Sequence, residues 1–197
     1  MAGEKFYAEG DYERAITEFN RSVNLRSDYA EAYIARGNAY SKRGNTARAI
    51  EDYSLALRYG AQRAEIFNYR GFAYSKRSEI DRAIDDFTQA LRLRPDYADA
   101  LFNRADAYYE KGDYDRAITD YSQVIRLEGR NAVAWNRRGS AYYRKGDNTR
   151  AIEDFTRALT INGNYYLAMQ NRGNVYLNLG DTERAQADFA AASRMRQ

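Results

Sequence analysis

The sequence predicts an all-α fold in which consecutive pairs of helices stack on one another. Three observations predict it: an unbroken internal period, helical spacing of apolar residues within each period, and a single proline, Pro95, in the whole chain. The prolines that often mark strand ends and turns are almost absent from this chain. Because one helix pair cannot bury its apolar face alone, neighbouring pairs are expected to share a continuous interior.

The period is visible in two blocks of sequence. The first block reads Arg, a small residue, any residue, Ala or Val, then Tyr, and it starts at Arg36, Arg70, Arg104, Arg138 and Arg172. The second block starts with Arg-Ala at Arg14, Arg48, Arg82, Arg116, Arg150 and Arg184. An aromatic residue follows each of these alanines by four positions: Phe19, Tyr53, Phe87, Tyr121, Phe155 and Phe189. No insertion or deletion interrupts the step, so the periodic order extends along the whole chain.

Each period is expected to contain two helices joined by a tight turn. Between them stands a Gly followed by Asp or Asn: Gly10-Asp11, Gly44-Asn45, Gly112-Asp113, Gly146-Asp147 and Gly180-Asp181. Glycine can end the first helix in a left-handed conformation, and Asp or Asn can cap the second. One copy reads Ser78-Glu79 instead, and we expect its turn to be slightly strained or differently wound.

Small residues predict close packing within each pair. Gly37 at the middle of a first helix would let the second helix approach, where Ala49 is the matching small residue. Tyr40 and Tyr53 would then fill the space on either side.

A charge lattice has the same period. An aspartate stands sixteen residues after each first-block arginine: Asp52, Asp86, Asp120, Asp154 and Asp188. Each also lies four residues after a second-block arginine, one helical turn away. We expect each aspartate to receive two arginines, one from each helix, as a clamp inside the repeat. A stripe that binds anions or nucleic acid is the alternative interpretation.

The pattern resembles the tetratricopeptide repeat (TPR), a helix–turn–helix unit whose length equals the step from Arg36 to Arg70. The fourth full copy carries the family's positions as Trp135, Gly139, Tyr142, Ala151, Phe155 and Ala158. The closing proline of the family is present only as Pro95. The resemblance covers essentially all of the chain. It implies a right-handed superhelical solenoid of antiparallel helix pairs, with a partial repeat at 1–29 and repeats at 30–63, 64–97, 98–131, 132–165 and 166–197.

The resemblance also implies a protein–protein interaction scaffold that binds a peptide or protein segment in a concave groove lined by the first helices. The residues expected in that groove are Asn38, Asn68, Tyr69, Phe72, Phe102, Asn103, Asp106, Tyr109, Asn136, Arg137, Ser140, Tyr143, Gln170, Asn171 and Asn174. Asparagine can both donate to and accept from the backbone of a bound strand. Tyr and Phe would supply rigid contact area between those hydrogen bonds.

Composition weighs against other classes. The chain has no Cys and no His, which removes thiol nucleophiles, imidazole bases and the commonest transition-metal ligands. Without a phosphate-binding loop or a nucleophile motif either, we expect no enzyme, no cofactor and no metal. The net charge is only +3 and the charges are interspersed, so we expect no nucleic-acid partner, although an RNA-binding helical repeat stays an alternative. No apolar run is long enough to span a bilayer, and nothing indicates a cellular compartment.

The two ends of the array differ from the other copies. The first copy lacks the start of its first helix, and no polar capping helix follows the last. We therefore expect the sequence to be an excerpt from a longer protein. Apolar surface at the ends, such as Phe6 and Phe189, would allow a homo-oligomer, so a self-assembling scaffold is a further alternative.

Overall fold

The computed structural model describes residues 2–195, which form twelve α-helices and, within that range, no strand. The helices are α1 (Ala2–Ala8), α2 (Tyr12–Leu25), α3 (Ala30–Lys42), α4 (Thr46–Arg58), α5 (Ala64–Lys76), α6 (Ile80–Leu93), α7 (Ala98–Glu110), α8 (Tyr114–Leu127), α9 (Ala132–Arg144), α10 (Asn148–Ile161), α11 (Tyr166–Asn178) and α12 (Thr182–Arg194). The odd-numbered helices are the first members of the pairs and the even-numbered helices are the second. The predicted all-α fold is confirmed.

These helices form two compact units, which divide at Ala100–Leu101 inside α7. In the first unit each helix from α1 to α6 contacts the next one, and in the second unit the same holds from α8 to α12. Buried apolar residues of both helices of each pair form the core, and the second-helix side chains of Phe87 and Tyr121 are completely buried. Each unit therefore has the stacked interior that the period predicts.

The turn inside each pair follows the Gly–Asn/Asp prediction. Gly44 has a φ of +75°, and the side chain of Asn45 accepts a hydrogen bond from the backbone N–H of Arg48 at 3.2 Å. Asp113 caps α8 in the same way, accepting from the N–H of Arg116 at 3.1 Å. The glycine ends one helix and the following side chain begins the next.

The turn at Ser78 is wound like the others but without their favourable residues. Its backbone N–H donates to the carbonyl of Ser75 at 2.9 Å, as the N–H of Gly44 donates to Ser41 at 3.0 Å. Ser78 therefore adopts a φ of +59°, the only positive φ of a non-glycine residue between positions 2 and 195. A side chain is strained in this region. Of the two predicted outcomes, strain is the one observed.

Restoring the family-like turn should stabilise the fold. The side chain of Glu79 makes no capping hydrogen bond to α6, whereas a shorter aspartate would reach the backbone N–H groups. We expect the double variant Ser78→Gly/Glu79→Asp to raise the melting temperature by about 2–4 °C, measured by circular dichroism. The reverse exchange, Gly44→Ser/Asn45→Glu, is the matched control and should lower it. Equal melting temperatures for all three proteins would show that this turn carries no strain.

Close approach within a pair requires the small residue of the first helix. A Cβ atom placed on Gly71 would lie 2.8 Å from Cε1 of Phe87 and 3.2 Å from the carbonyl oxygen of Ala83. Both distances are shorter than van der Waals contact, and the buried ring has little room to move. The prediction that Gly lets the second helix approach is therefore confirmed.

The first-block arginines make the predicted clamp and also join neighbouring pairs. Arg70 donates from Nε and Nη2 to the two carboxylate oxygens of Asp86, each at 2.7 Å. Its Nη1 donates to Oγ of Ser54 on α4, in the preceding pair, at 3.0 Å. Three further arginines bond in the same way to their own aspartate and to a residue of the preceding pair: Arg36 with Asn20, Arg138 with Ser122 and Arg172 with Thr156.

The second half of the clamp prediction is wrong, because the second-block arginines have other partners. Arg150 donates from Nε to Oδ2 of the capping Asp147 at 2.5 Å, and its guanidinium carbon lies 4.4 Å from the centroid of the Tyr142 ring. The side chain and the backbone N–H of Arg150 both donate hydrogen bonds to Asp147, and these bonds lower the pKa of its carboxyl group. The cap carboxylate stands three residues before the arginine and the aromatic ring lies beside it, so the guanidinium pairs with Asp147 and packs on Tyr142.

Candidate functional site

All fifteen residues expected in the groove lie on first helices. Four belong to the first unit and eleven to the second. We use the name first-helix face for the side of α3 and α5 in the first unit, and of α7, α9 and α11 in the second, on which these residues stand. Each unit has its own first-helix face.

In the first unit the two asparagines are engaged within the fold. The side-chain oxygen of Asn38 accepts a hydrogen bond from the Tyr53 hydroxyl at 2.8 Å. Asn68 is only 5% exposed, and its Nδ2 donates to the hydroxyl of Tyr97 at 3.3 Å. Burial raises the pKa of Tyr53, and the nearby Tyr7 raises it further, so the phenol stays protonated and keeps donating.

The aromatic residues of this face are accessible. Tyr69 is 39% exposed and Phe72 is 42% exposed. The Tyr69 ring packs against Tyr53 with centroids 6.0 Å apart, and the Lys76 ammonium lies 5.1 Å from the centroid of the Phe72 ring. The contact area available to a partner in the first unit is therefore aromatic more than amide.

In the second unit an asparagine links two first helices. Asn136 on α9 is 4% exposed, and its Oδ1 accepts a hydrogen bond from Nδ2 of Asn171 on α11 at 3.0 Å. The hydroxyl of Ser140 donates to the backbone carbonyl of Asn136 at 3.0 Å. Asn171 is half-buried and Asn174 is exposed. Peptide contact at Asn136 would therefore require an internal hydrogen bond to break.

A charged cluster on the same face joins α7, α8 and α9. The Tyr121 hydroxyl donates to the carboxylate of Asp106, and Nε of Arg137 lies 3.7 Å from that carboxylate. Burial raises the pKa of Asp106, and burial also raises the pKa of Tyr121. The Arg137 side chain remains 50% exposed, so it can pair with a group outside the protein.

The remaining predicted residues are half-buried on this face: Phe102, Asn103, Tyr109, Tyr143 and Gln170. The Phe102 ring makes an edge contact with Tyr121, and the Tyr109 ring makes one with Tyr114, at centroid distances of 5.6 and 5.4 Å.

Sequence reasoning missed the tyrosines that hold these polar side chains. Asn38 and Tyr53 are fifteen residues apart, and so are Asp106 and Tyr121, two periods further along. In the copies between and after them, phenylalanine stands at the second position as Phe87 and Phe155, and no hydroxyl is present there. Tyr and Phe alternate at this second-helix position. That alternation could have predicted which first-helix side chains have a hydroxyl to bond with.

The apolar ends are less exposed than the sequence suggested. Phe6 is half-buried with the Arg14 guanidinium carbon 4.7 Å from its ring centroid, and Phe189 is half-buried against Gly173. In residues 2–195, no group of three or more Asp, Glu, His or Cys side chains is arranged to hold a metal ion. None of the helices described above is long and apolar enough to cross a membrane.

Paired helices at a constant step, with a polar and aromatic face on the first helices, define a helical-repeat protein. Sequence models of the tetratricopeptide repeat match residues 3–44, 30–59, 70–126, 104–166 and 155–187. The chain belongs to the TPR family, as its sequence predicted. Among curated protein sequences, none matches this chain significantly.

Solved structures share the fold. The crystal structure of MamA aligns with a TM-score of 0.79 at 27% identity, over 82% of this chain and 94% of that one. A MamA fragment from Desulfovibrio magneticus RS-1 gives 0.81 at 20% identity, over 85% and 94%. YrrB, a TPR protein with an unusual peptide-binding site, gives 0.78 at 23% identity, over 85% and 86%. These likenesses confirm the TPR fold.

Proposed function

We propose that this chain is a protein-interaction module whose first-helix faces bind an extended polypeptide segment. The observation that carries the proposal is in the second unit. There the half-exposed guanidinium of Arg137 on α9 and the amides of Asn171 and Asn174 on α11 stand on one face. Donors and acceptors on successive helices suit the regularly spaced backbone groups of an extended chain.

Two further observations support it. The exposed Tyr69 and Phe72 of the first unit offer the rigid aromatic area that anchors protein partners. YrrB, which has a similar fold, is a TPR protein with an unusual peptide-binding site.

The burial of two asparagines refines which residues would touch a ligand. Asn68 and Asn136 are engaged with Tyr97 and Asn171 and are nearly inaccessible. Their role in binding would be to fix the neighbouring side chains. Arg137 and Asn174 are the residues of the second unit that we expect to make direct contact.

The test is a binding measurement with a peptide selected from a random peptide library on the immobilised protein. We expect the double variant Arg137→Ala/Asn174→Ala to weaken that peptide's affinity by roughly tenfold, which corresponds to the loss of one strong contact. Fluorescence anisotropy of the labelled peptide gives the dissociation constant.

The matched control is Arg157→Ala, which removes an exposed arginine from the second helix α10. It should leave the affinity unchanged. If the control weakens binding as much as the double variant does, or if the double variant binds like the wild type, the first-helix face of the second unit is not where the peptide lies.

A further inference from the structure

A cavity opens on the first-helix side of the first unit, between α1 and α3. Its volume is about 200 Å³, and its lining residues are Glu4, Tyr7, Phe19, Ala35 and Asn38. Phe19, on α2, is buried and forms the apolar floor. Glu4 and Asn38 add polar groups to a wall that is otherwise aromatic and aliphatic.

The cavity exists because of one small residue. Ala35 stands where the following periods have Tyr69, Asn103, Arg137 and Asn171. Each of these is larger than alanine. A methyl group in this position leaves unfilled the space above the Phe19 ring.

The next period of the same unit shows what fills the equivalent space. Tyr69 stands one period after Ala35, and Tyr53 stands one period after Phe19. The Tyr69 ring packs against the Tyr53 ring there with centroids 6.0 Å apart. An aromatic ring therefore fits this position in the first unit when the chain itself supplies it.

We propose that the cavity takes one aromatic side chain of the bound polypeptide. The volume suits a single ring, because an apolar cavity of roughly 150 Å³ is enough to bind benzene. It is too small for a whole ligand, whose pockets begin at about 300 Å³. The inference rests on the proposed function, since it names the side chain by which the polypeptide is anchored in the first unit.

The test uses small probes, so that it does not depend on a selected peptide. Protein labelled with carbon-13 at its alanine methyl groups is titrated with N-acetyl-tyrosinamide, N-acetyl-phenylalaninamide and N-acetyl-leucinamide. We expect the ring currents of the bound tyrosine and phenylalanine probes to shift the Ala35 methyl resonance. The leucine probe should bind more weakly than either.

Two substitutions test the cavity itself. Ala35→Tyr fills it with the residue that the next period uses, and should abolish binding of the tyrosine probe while leaving the melting temperature unchanged. Binding to this variant is followed through the resonances of the probe. The matched control Ala47→Tyr adds the same ring at an exposed position of α4 and should bind like the wild type. The reciprocal variant Tyr69→Ala should create a second, similar site over Tyr53.

The proposal is overturned if the tyrosine probe leaves the Ala35 methyl resonance unmoved, or if Ala35→Tyr still binds the probe. It is equally overturned if the leucine probe binds as tightly as the tyrosine probe. In each of these cases a selected peptide that depends on Arg137 and Asn174 would still support the proposed function, so the two failures are distinguishable.

Discussion

Replacing Phe87 with alanine is expected to lower the free energy of unfolding by about 3–5 kcal/mol, the usual cost of removing a buried aromatic ring. Phe87 is completely buried, and its ring lies against the backbone of Gly71 at the crossing of α5 and α6. Two helices that pack this closely cannot move together to refill the space. Chemical denaturation followed by circular dichroism measures the change.

Phe72→Ala is the matched control for this prediction. It deletes the same side chain from the neighbouring helix α5, at a position where the residue is 42% exposed. Its effect on stability should be small. A similar loss in the two variants would mean that the crossing of α5 and α6 is not the packed core of the first unit.

Replacing Asp86 with alanine is expected to cost about 3 kcal/mol, the lower end of the range for breaking a buried ion pair. Asp86 is buried, and Arg70 donates two hydrogen bonds of 2.7 Å to it. Burial raises the pKa of Asp86 although the arginine opposes this, so the ionised pair is tolerated only while both partners are present. Without the carboxylate, the largely buried guanidinium of Arg70 would keep only one of these hydrogen bonds, the one to Ser54.

The neighbouring Asp85 provides the control. It is exposed on the same helix, so Asp85→Ala removes the same charge and should change stability by less than about 0.5 kcal/mol. The double variant Arg70→Ala/Asp86→Ala should be less destabilised than the sum of the single variants, because neither partner is then left unpaired. Additive losses would show that the clamp is not an interacting pair.

The sequence was sufficient for the repeating parts of this molecule. Residue types that recur at the same position of each period predict the helix pairs. They also predict the left-handed glycines such as Gly44 and the small residues such as Gly71 that allow the helices to approach closely. The Arg70–Asp86 contact could also be predicted, because both residues recur with the period on the two helices of one pair.

The sequence was insufficient where a side chain chooses between competing partners. Arg150 has Asp154 one turn ahead and Asp147 three residues behind, and only the structure shows that the capping carboxylate and the Tyr142 ring are closer. Asn136 was expected to contact a ligand, because its position in the period lies on a first helix. In the structure it is buried and accepts a hydrogen bond from Asn171 in the next pair.

The cavity beside Ala35 is a third case of this kind. A single alanine at a variable position carries no periodic signal, and its consequence appears only when the neighbouring helices are placed around it. Differences between repeats, more than their common features, therefore determine the surfaces on which we base the proposed function.

A polypeptide that lies on the first-helix faces can be located by amide chemical-shift mapping with a library-selected peptide. We expect the perturbed resonances to cluster on the first helices, including the side-chain amides of Asn171 and Asn174 and the backbone around Arg137. Perturbations confined to the second helices, such as those around Arg157 on α10, would contradict it.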